Sequence, residues 1–239
     1  AATPPPSAAE PPIVNFRPYQ DEAFWFALRF LFLLWARQTG KSYTMAAMAF
    51  RRMMERRNHL CLFVSASILL GTEFLLKEAA LWWQFLEAMR ASAAASGGQF
   101  KIDDNTKGAD FDGFCDIFEH SKLEARVWHT NSVYSRTKVI ASNAGTAVGW
   151  TGDIFGDEVG RWEDFKAVME AIEPFMASNP QFIMRLATTP PPDEAHPTYE
   201  MFLPPLETYA LNKRGNFYVA PCGKQVHRVD IYDAVAGGV

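Results

Sequence analysis

The sequence predicts an α/β protein whose mainly parallel central sheet is flanked by helices. Three observations carry that prediction. Short apolar runs of strand character alternate with segments of helical periodicity along most of the 239 residues. One such run, Leu31-Phe32-Leu33-Leu34-Trp35, breaks directly into Arg37-Gln38-Thr39-Gly40-Lys41-Ser42 and is followed by a helical face of Met45, Met48, Ala49 and Met53. A second, from Asp153 to Gly156, ends in the acidic pair Asp157-Glu158. In open α/β sheets, ligands sit at such carboxyl ends of strands.

In chain order, residues 1 to 12 (AATPPPSAAEPP) hold no large apolar side chain whose burial could offset the entropy of ordering. They are expected to be a flexible arm ahead of one domain spanning 13 to 239. Pro18 suits the first turn of a helix that carries Phe24 and Leu28 inward, with Gln20 on it just ahead of the first strand. After the Gly-Lys-Ser helix, HLCLFVSA (59 to 66) reads as a buried strand, followed by a long helix from about Ile68 to Arg90. Residues 91 to 98 are small and read as flexible. Between Asp110 and Asn143 two or three strands are expected, KLEARVWHT and SRTKVIAS being the clearest. A helix with Trp162, Phe165, Val168, Met169, Ile172 and Phe175 at helical spacing follows the acidic pair, and a strand from Gln181 to Ala187 ends in Thr188-Thr189-Pro190. A short helix near Tyr199 and one or two further strands complete the pattern.

The turn after the first strand has the layout of a phosphate-binding P-loop. Gly40 lets the backbone wrap closely around a phosphate, and the first amides of the helix point at the anion. Lys41 reaches the β and γ phosphates of a nucleoside triphosphate, and the Ser42 hydroxyl can ligate Mg²⁺. The pattern departs from the usual one at Trp35, which stands where the first glycine is expected.

Hydrolysis of a phosphoanhydride needs a phosphate cradle, a metal site, a group to orient or deprotonate water, and a cation for the transition-state charge. Lys41 and the loop provide the cradle, Asp157 the metal site through a water, Glu158 the general base, and Arg37 the candidate cation. Taken singly, an Asp-Glu pair can simply face a helix dipole, Gln20 can be a solvated helix residue, and Thr188-Thr189 can be a turn. Their order along the chain is the argument, together with the 115 residues between Lys41 and Asp157, which leave room for an additional strand between the two motif strands. That is the additional-strand (ASCE) type of P-loop NTPase, found in ring and helicase-like motors.

Composition limits the alternatives. An apolar fraction of 49% supports a buried core, and no run of 18 apolar residues or basic-then-apolar leader is present, so a soluble intracellular protein is expected. The net charge of −4 gives no general electrostatic case for nucleic acid, and Arg51 to Arg57 reads as a solvated helix face. Cys61, Cys115 and Cys222 lack any paired metal or disulfide spacing, and His120, His129 and His196 lack ligand spacing.

From Phe16 to Tyr199 the residues resemble the ATPase domain of the large terminase subunit of tailed double-stranded DNA bacteriophages. FRPYQ resembles the family's adenine-contacting glutamine motif, ARQTGKS its Walker A, TGDIFGDE its Walker B with catalytic glutamate, and ATTP its coupling motif. The segment SNAGTAVGWTGDIFGDEVGRW is the most specific part. The resemblance implies ATP and Mg²⁺ bound by Gln20, Arg37, Gln38, Thr39, Gly40, Lys41, Ser42 and Asp157, hydrolysis by Glu158, and coupling through Thr188 and Thr189. It further implies double-stranded DNA, a portal protein, a small terminase subunit and a homo-oligomeric ring as partners, in the host cytoplasm. Val148 stands where many relatives carry an arginine, a role that would then be absent or fall to Arg37. About 50 residues follow Pro190, too few for the family's nuclease domain, so an isolated motor domain is expected.

Overall fold

The computed structural model describes residues 13–95, 118–121, 123–204 and 217–239. The expected arm at 1 to 12, Cys115 and residues 96 to 98 of the small-residue segment lie outside the described residues. Among the described residues nine strands form one sheet in the order β3-β4-β5-β2-β6-β7-β1-β9-β8. Its centre, β5 (Tyr134–Ala141), β2 (Leu60–Ser65), β6 (Asp153–Asp157), β7 (Met184–Thr188), β1 (Phe30–Trp35) and β9 (Gln225–Val229), is parallel throughout. Antiparallel pairs close the two edges, with β3 (Phe118–His120) and β4 (Glu124–Trp128) on one side and β8 (Phe217–Val219) on the other.

An additional strand does separate the motif strands β1 and β6, but it is β7, which follows the acidic pair in sequence. The segment between Lys41 and Asp157 instead builds β2 to β5 and the long helix α3 (Ile68–Ala95) beyond β6. The reason lies in crossover geometry: parallel neighbours need a right-handed helical connection, and α5 (Phe165–Ala177) supplies it between β6 and β7.

Strand periodicity distributes the core between the two faces. Leu31, Leu33 and Trp35 of β1 and Cys61 and Phe63 of β2 pack against α1 (Pro18–Phe24), α2 (Lys41–Glu55) and α3 (Ile68–Ala95). The alternate residues Phe32, Leu62 and Val64 turn to the other face, with Ala147 of the short helix α4 (Ala144–Ala147), α5 and α6 (Tyr199–Phe202). A buried large apolar side chain is worth about 1.5–3 kcal/mol, against about 0–1 kcal/mol for a surface ion pair, so packing sets the register of this sheet.

Three local expectations are corrected. Helix α1 ends at Phe24, and Leu28 is exposed in the loop after it; the buried face is Tyr19, Gln20 and Ala23. Helix α3 continues to Ala95 through the run of small residues, alanine being the best helix former. The last segment forms β9 and then a helix, α7 (Ile231–Ala236), where Asp230 caps the amides of Tyr232 and Asp233.

The basic run of α2 is tied into the fold. Arg52 grips the buried carboxylate of Asp153 with two nitrogens, and His59 Nε2 lies 2.6 Å from the same group. Burial alone would raise the pKa of Asp153, but the His59 and Arg52 hydrogen bonds outweigh it and hold the carboxyl below its ordinary value. Arg51 pairs with Glu55 and lies over the Trp25 ring. Cys61 lies close to His59 and Asp153, and the Asp153 carboxylate is already engaged by Arg52 and His59.

Glu78 on α3 is fully buried and accepts one hydrogen bond, from Thr137 Oγ1 at 2.7 Å. Burial pushes its pKa well above 4.5, and the Thr137 bond offsets only part of this. A carboxyl with a raised folded pKa contributes fully below its unfolded value and loses that contribution as pH rises. Glu78→Gln is therefore expected to remove a loss of stability that sets in as pH rises above the ordinary carboxylate range. Urea midpoints that change in parallel for the two proteins would show that Glu78 carries no such linkage.

Candidate nucleotide site

The loop between β1 and α2 is held from behind by α1. Tyr19 donates its hydroxyl to Thr39 O at 3.0 Å, and Gln20 Nε2 donates to Thr44 Oγ1 at 3.0 Å while its Oε1 accepts from Arg17 N. Gly40 caps α2 at φ +85°, and a Cβ there would meet Gln20 Nε2 at 2.5 Å. Gly40 is thus favoured by its backbone angle, and any Cβ there would also have to displace the Gln20 amide. Gln38 also takes a left-handed conformation, at φ 61°. Trp35 fits the first-glycine position because it is the last residue of β1 and points into the core. There its ring meets Tyr19 edge-on at 5.2 Å, and its Nε1 donates to His227 Nδ1 at 3.2 Å.

Lys41 is buried, with Nζ donating to Trp35 O at 3.2 Å and Ala36 O at 3.1 Å, and lies 3.8 Å from Glu158 Oε1. Desolvation lowers its pKa, an effect that the nearby Glu158 and Asp157 carboxylates oppose without cancelling. Ser42 donates to Asp157 Oδ2 at 2.7 Å, joining the first turn of α2 to the end of β6. Burial raises the pKa of Asp157, with Glu158 adding to it and the Ser42 hydrogen bond opposing it. A desolvated carboxylate beside a second acid and a hydroxyl is a hard-oxygen donor set suited to a divalent cation. Ser42 and Asp157 therefore fit the implied Mg²⁺.

Glu158 has φ 48° and ψ 46°, a left-handed conformation that is rare for a non-glycine residue. Strain of this kind persists where surrounding contacts impose it. Here Trp162 Nε1 donates to Asp157 O at 3.1 Å, and Arg161 N to Glu158 O at 2.8 Å. From the end of β7, Thr189 Oγ1 lies 3.4 Å from Glu158 Oε2, and Gly160 N donates to Thr188 Oγ1 at 3.1 Å. Both threonines singled out by sequence thus touch the acidic turn.

The structure brings Lys41, Ser42, Asp157, Glu158, Thr188 and Thr189 together at the carboxyl ends of adjacent strands β1, β7 and β6. Arg37 and Gln38 are exposed at the edge of a cavity of about 470 Å³ that Gly40, Lys41, Ser42 and Glu158 also line. Thr39 is buried, its hydroxyl bonded to Ala36 O at 2.8 Å. Gln20 lies behind the loop with both amide atoms engaged. Val148 is 67% exposed and does not line the cavity. Two further lining residues are Lys77 of α3, which belongs to no sequence motif, and Arg161, which falls in the segment 142 to 162 but was given no role there; the cue available for it was its position three residues after Glu158.

No family model matches the sequence, and no curated protein does. Among solved structures, the large terminase ATPase domain of Thermus phage P74-26 aligns over 91% of this chain and 82% of its own, at 12% identity and a TM-score of 0.59. A point mutant of that domain aligns over the same shares at 14% identity and a TM-score of 0.61. This chain has the fold of a large terminase ATPase domain. The HK97 bacteriophage large terminase matches 77% of this chain but only 35% of its own length, at 12% identity and a TM-score of 0.51. In this terminase-type fold the strand between the motif strands is the one that delivers Thr188 and Thr189 to Glu158. Gly152, in the stretch leading into β6, is fixed by packing, since a Cβ there would meet Leu60 O at 2.2 Å.

Proposed function

We propose that this chain is a Mg²⁺-dependent ATPase, the motor domain of a DNA-packaging terminase. The observation that carries the proposal is the position of Glu158. Its carboxylate is held on a strained turn, 3.8 Å from Lys41 Nζ and next to the Ser42–Asp157 pair. A phosphate cradle and a candidate base are thereby set side by side, as hydrolysis requires.

The residues divide the work as follows. The α2 amides and Gly40 receive the phosphates, and Lys41 exchanges its loop carbonyls for β and γ phosphate oxygens. Ser42 and Asp157 hold Mg²⁺, which when bound neutralises phosphate charge. Glu158 orients a water and takes its proton. Arg37 and Gln38 border the same cavity, while Gln20 supports the loop from behind and reaches adenine only by giving up its bond to Thr44. Thr189 links Glu158 to β7, so a change at the carboxylate is felt by the strand next to it, which is the kind of contact that coupling needs.

As a packaging motor the chain would act on double-stranded DNA in a homo-oligomeric ring on the portal, with the small terminase subunit, in the host cytoplasm. Among the described residues no helix is long and apolar enough to cross a membrane. The test is steady-state ATP hydrolysis across a range of protein concentration, with Mg²⁺ and with a chelator, followed by ATP-dependent protection of DNA from nuclease in portal-bearing procapsids. Metal-dependent turnover and protection are expected. Absence of nucleotide binding would remove the ATPase reading, and turnover without protection would leave an ATPase with another task.

A further inference from the structure

The cavity in front of the P-loop is more basic than the sequence motifs account for. Its lining holds Arg37, Lys41, Lys77 and Arg161 against the one carboxylate of Glu158. Lys41, bonded here to the loop carbonyls, is the phosphate ligand already assigned. Neither Lys77 nor Arg161 forms an ion pair among the described residues, and Arg161 is exposed. Cations left without carboxylate partners around a concave site raise the local concentration of anions.

Their placement is specific. Arg161 closes the short 3₁₀ turn Val159–Arg161, whose first hydrogen bond runs from Arg161 N to Glu158 O at 2.8 Å, so it is fixed to the same turn as the candidate base. Lys77 comes from the opposite wall. It lies seven residues after Leu70 on α3, on one helix face, and both line the cavity. Phe74, Leu75 and Leu81 bury the inner face of α3, which holds that wall in place.

We infer that Arg161 and Lys77 are phosphate-binding residues that complete the site within a single chain, Arg161 touching the γ-phosphoryl group and Lys77 holding the triphosphate from the α3 side. The inference rests on the ATPase reading. In the reaction, the water oxygen forms a bond to the γ phosphorus, the bond from that phosphorus to the β–γ bridging oxygen breaks, and the water proton passes to Glu158. The products are ADP and inorganic phosphate. A planar guanidinium suits the oxygens of the transferring group, where charge spreads in the transition state. A lysine on the far wall acts as a point charge that binds ground state and transition state alike.

The two residues are therefore distinguishable by kinetics. Arg161→Ala is expected to lower kcat by about 10²-fold or more with a small change in KM, and Arg161→Lys to recover part of the loss. Lys77→Ala is expected to raise KM several-fold. Affinity for ADP stays at the wild-type value in Arg161→Ala, while affinity for a non-hydrolysable ATP analogue falls. Mixing Arg161→Ala with Glu158→Gln should restore nothing, because neither chain holds a complete site. Recovery of turnover in the mixture would show that the arginine acts across a subunit interface and would overturn the inference. So would unchanged kcat and analogue affinity in Arg161→Ala. Should wild type bind the analogue without turning over, the ratio of analogue to ADP affinity decides in the same way. If wild type binds neither nucleotide, the ATPase reading itself fails, a result visible before any variant is made.

Discussion

Glu158→Gln is expected to bind ATP with near wild-type affinity and to lose turnover by about 10³-fold, the scale of a missing general base. The substitution keeps the size of the side chain and its approach to Thr189, so the left-handed turn at φ 48° remains supported by Trp162 and Arg161. What disappears is the proton acceptor. Loss of the carboxylate also removes the attraction at 3.8 Å that partly sustains the charge on Lys41, but bound phosphates supply negative charge in its place. Nucleotide binding followed by fluorescence, with single-turnover hydrolysis, separates the two steps. Retained turnover would remove Glu158 from the role of base, and lost binding would mean that the turn had collapsed.

Much of this site could be read from the chain because its parts are local. A strand breaking into Gly-Lys-Ser fixes where α2 begins, and Asp157-Glu158 at the end of a short apolar run fixes the second wall. The pairing of these walls, seen as Ser42 bonded to Asp157, follows from their shared place at carboxyl strand ends. Residues that reach the site only through tertiary packing were not legible. Lys77 sits in the middle of a long helix, and nothing in its neighbours marks it. Gln20 taken alone reads as a solvated helix residue because one glutamine carries no periodicity, and only the family resemblance singled it out, yet it is 4% exposed and hydrogen-bonded to Thr44. Strand order was not legible for a related reason. Sequence shows that an additional strand has room to form, but the crossover hand decides that β7 and no earlier strand lies between β1 and β6. Helix α7 was obscured by Ile231, Tyr232 and Val235, residues of strand-like preference that are exposed here. The signal that competes with them is the capping pair Asp230 and Asp233.

Lys41→Met is expected to abolish binding of both ATP and ADP while raising the stability of the nucleotide-free protein. The two effects have one origin. Lys41 is 6% exposed, and its ammonium is satisfied by two loop carbonyls with a carboxylate at 3.8 Å. Desolvation outweighs these partners and lowers its pKa. Holding the charge there therefore costs stability, and a side chain of similar length without charge relieves that cost. The sign of the pH dependence follows. A lysine whose folded pKa lies below its unfolded value disfavours folding while charged, and the penalty fades as pH rises through the folded pKa toward the unfolded one. The stability advantage of Lys41→Met should accordingly be full at neutral pH and shrink in alkali. Chemical denaturation of both proteins across that range, with nucleotide titrations at neutral pH, measures each part. A variant that still bound nucleotide would place the phosphates elsewhere, and one that was less stable than wild type at neutral pH would show that the loop carbonyls compensate the buried charge in full.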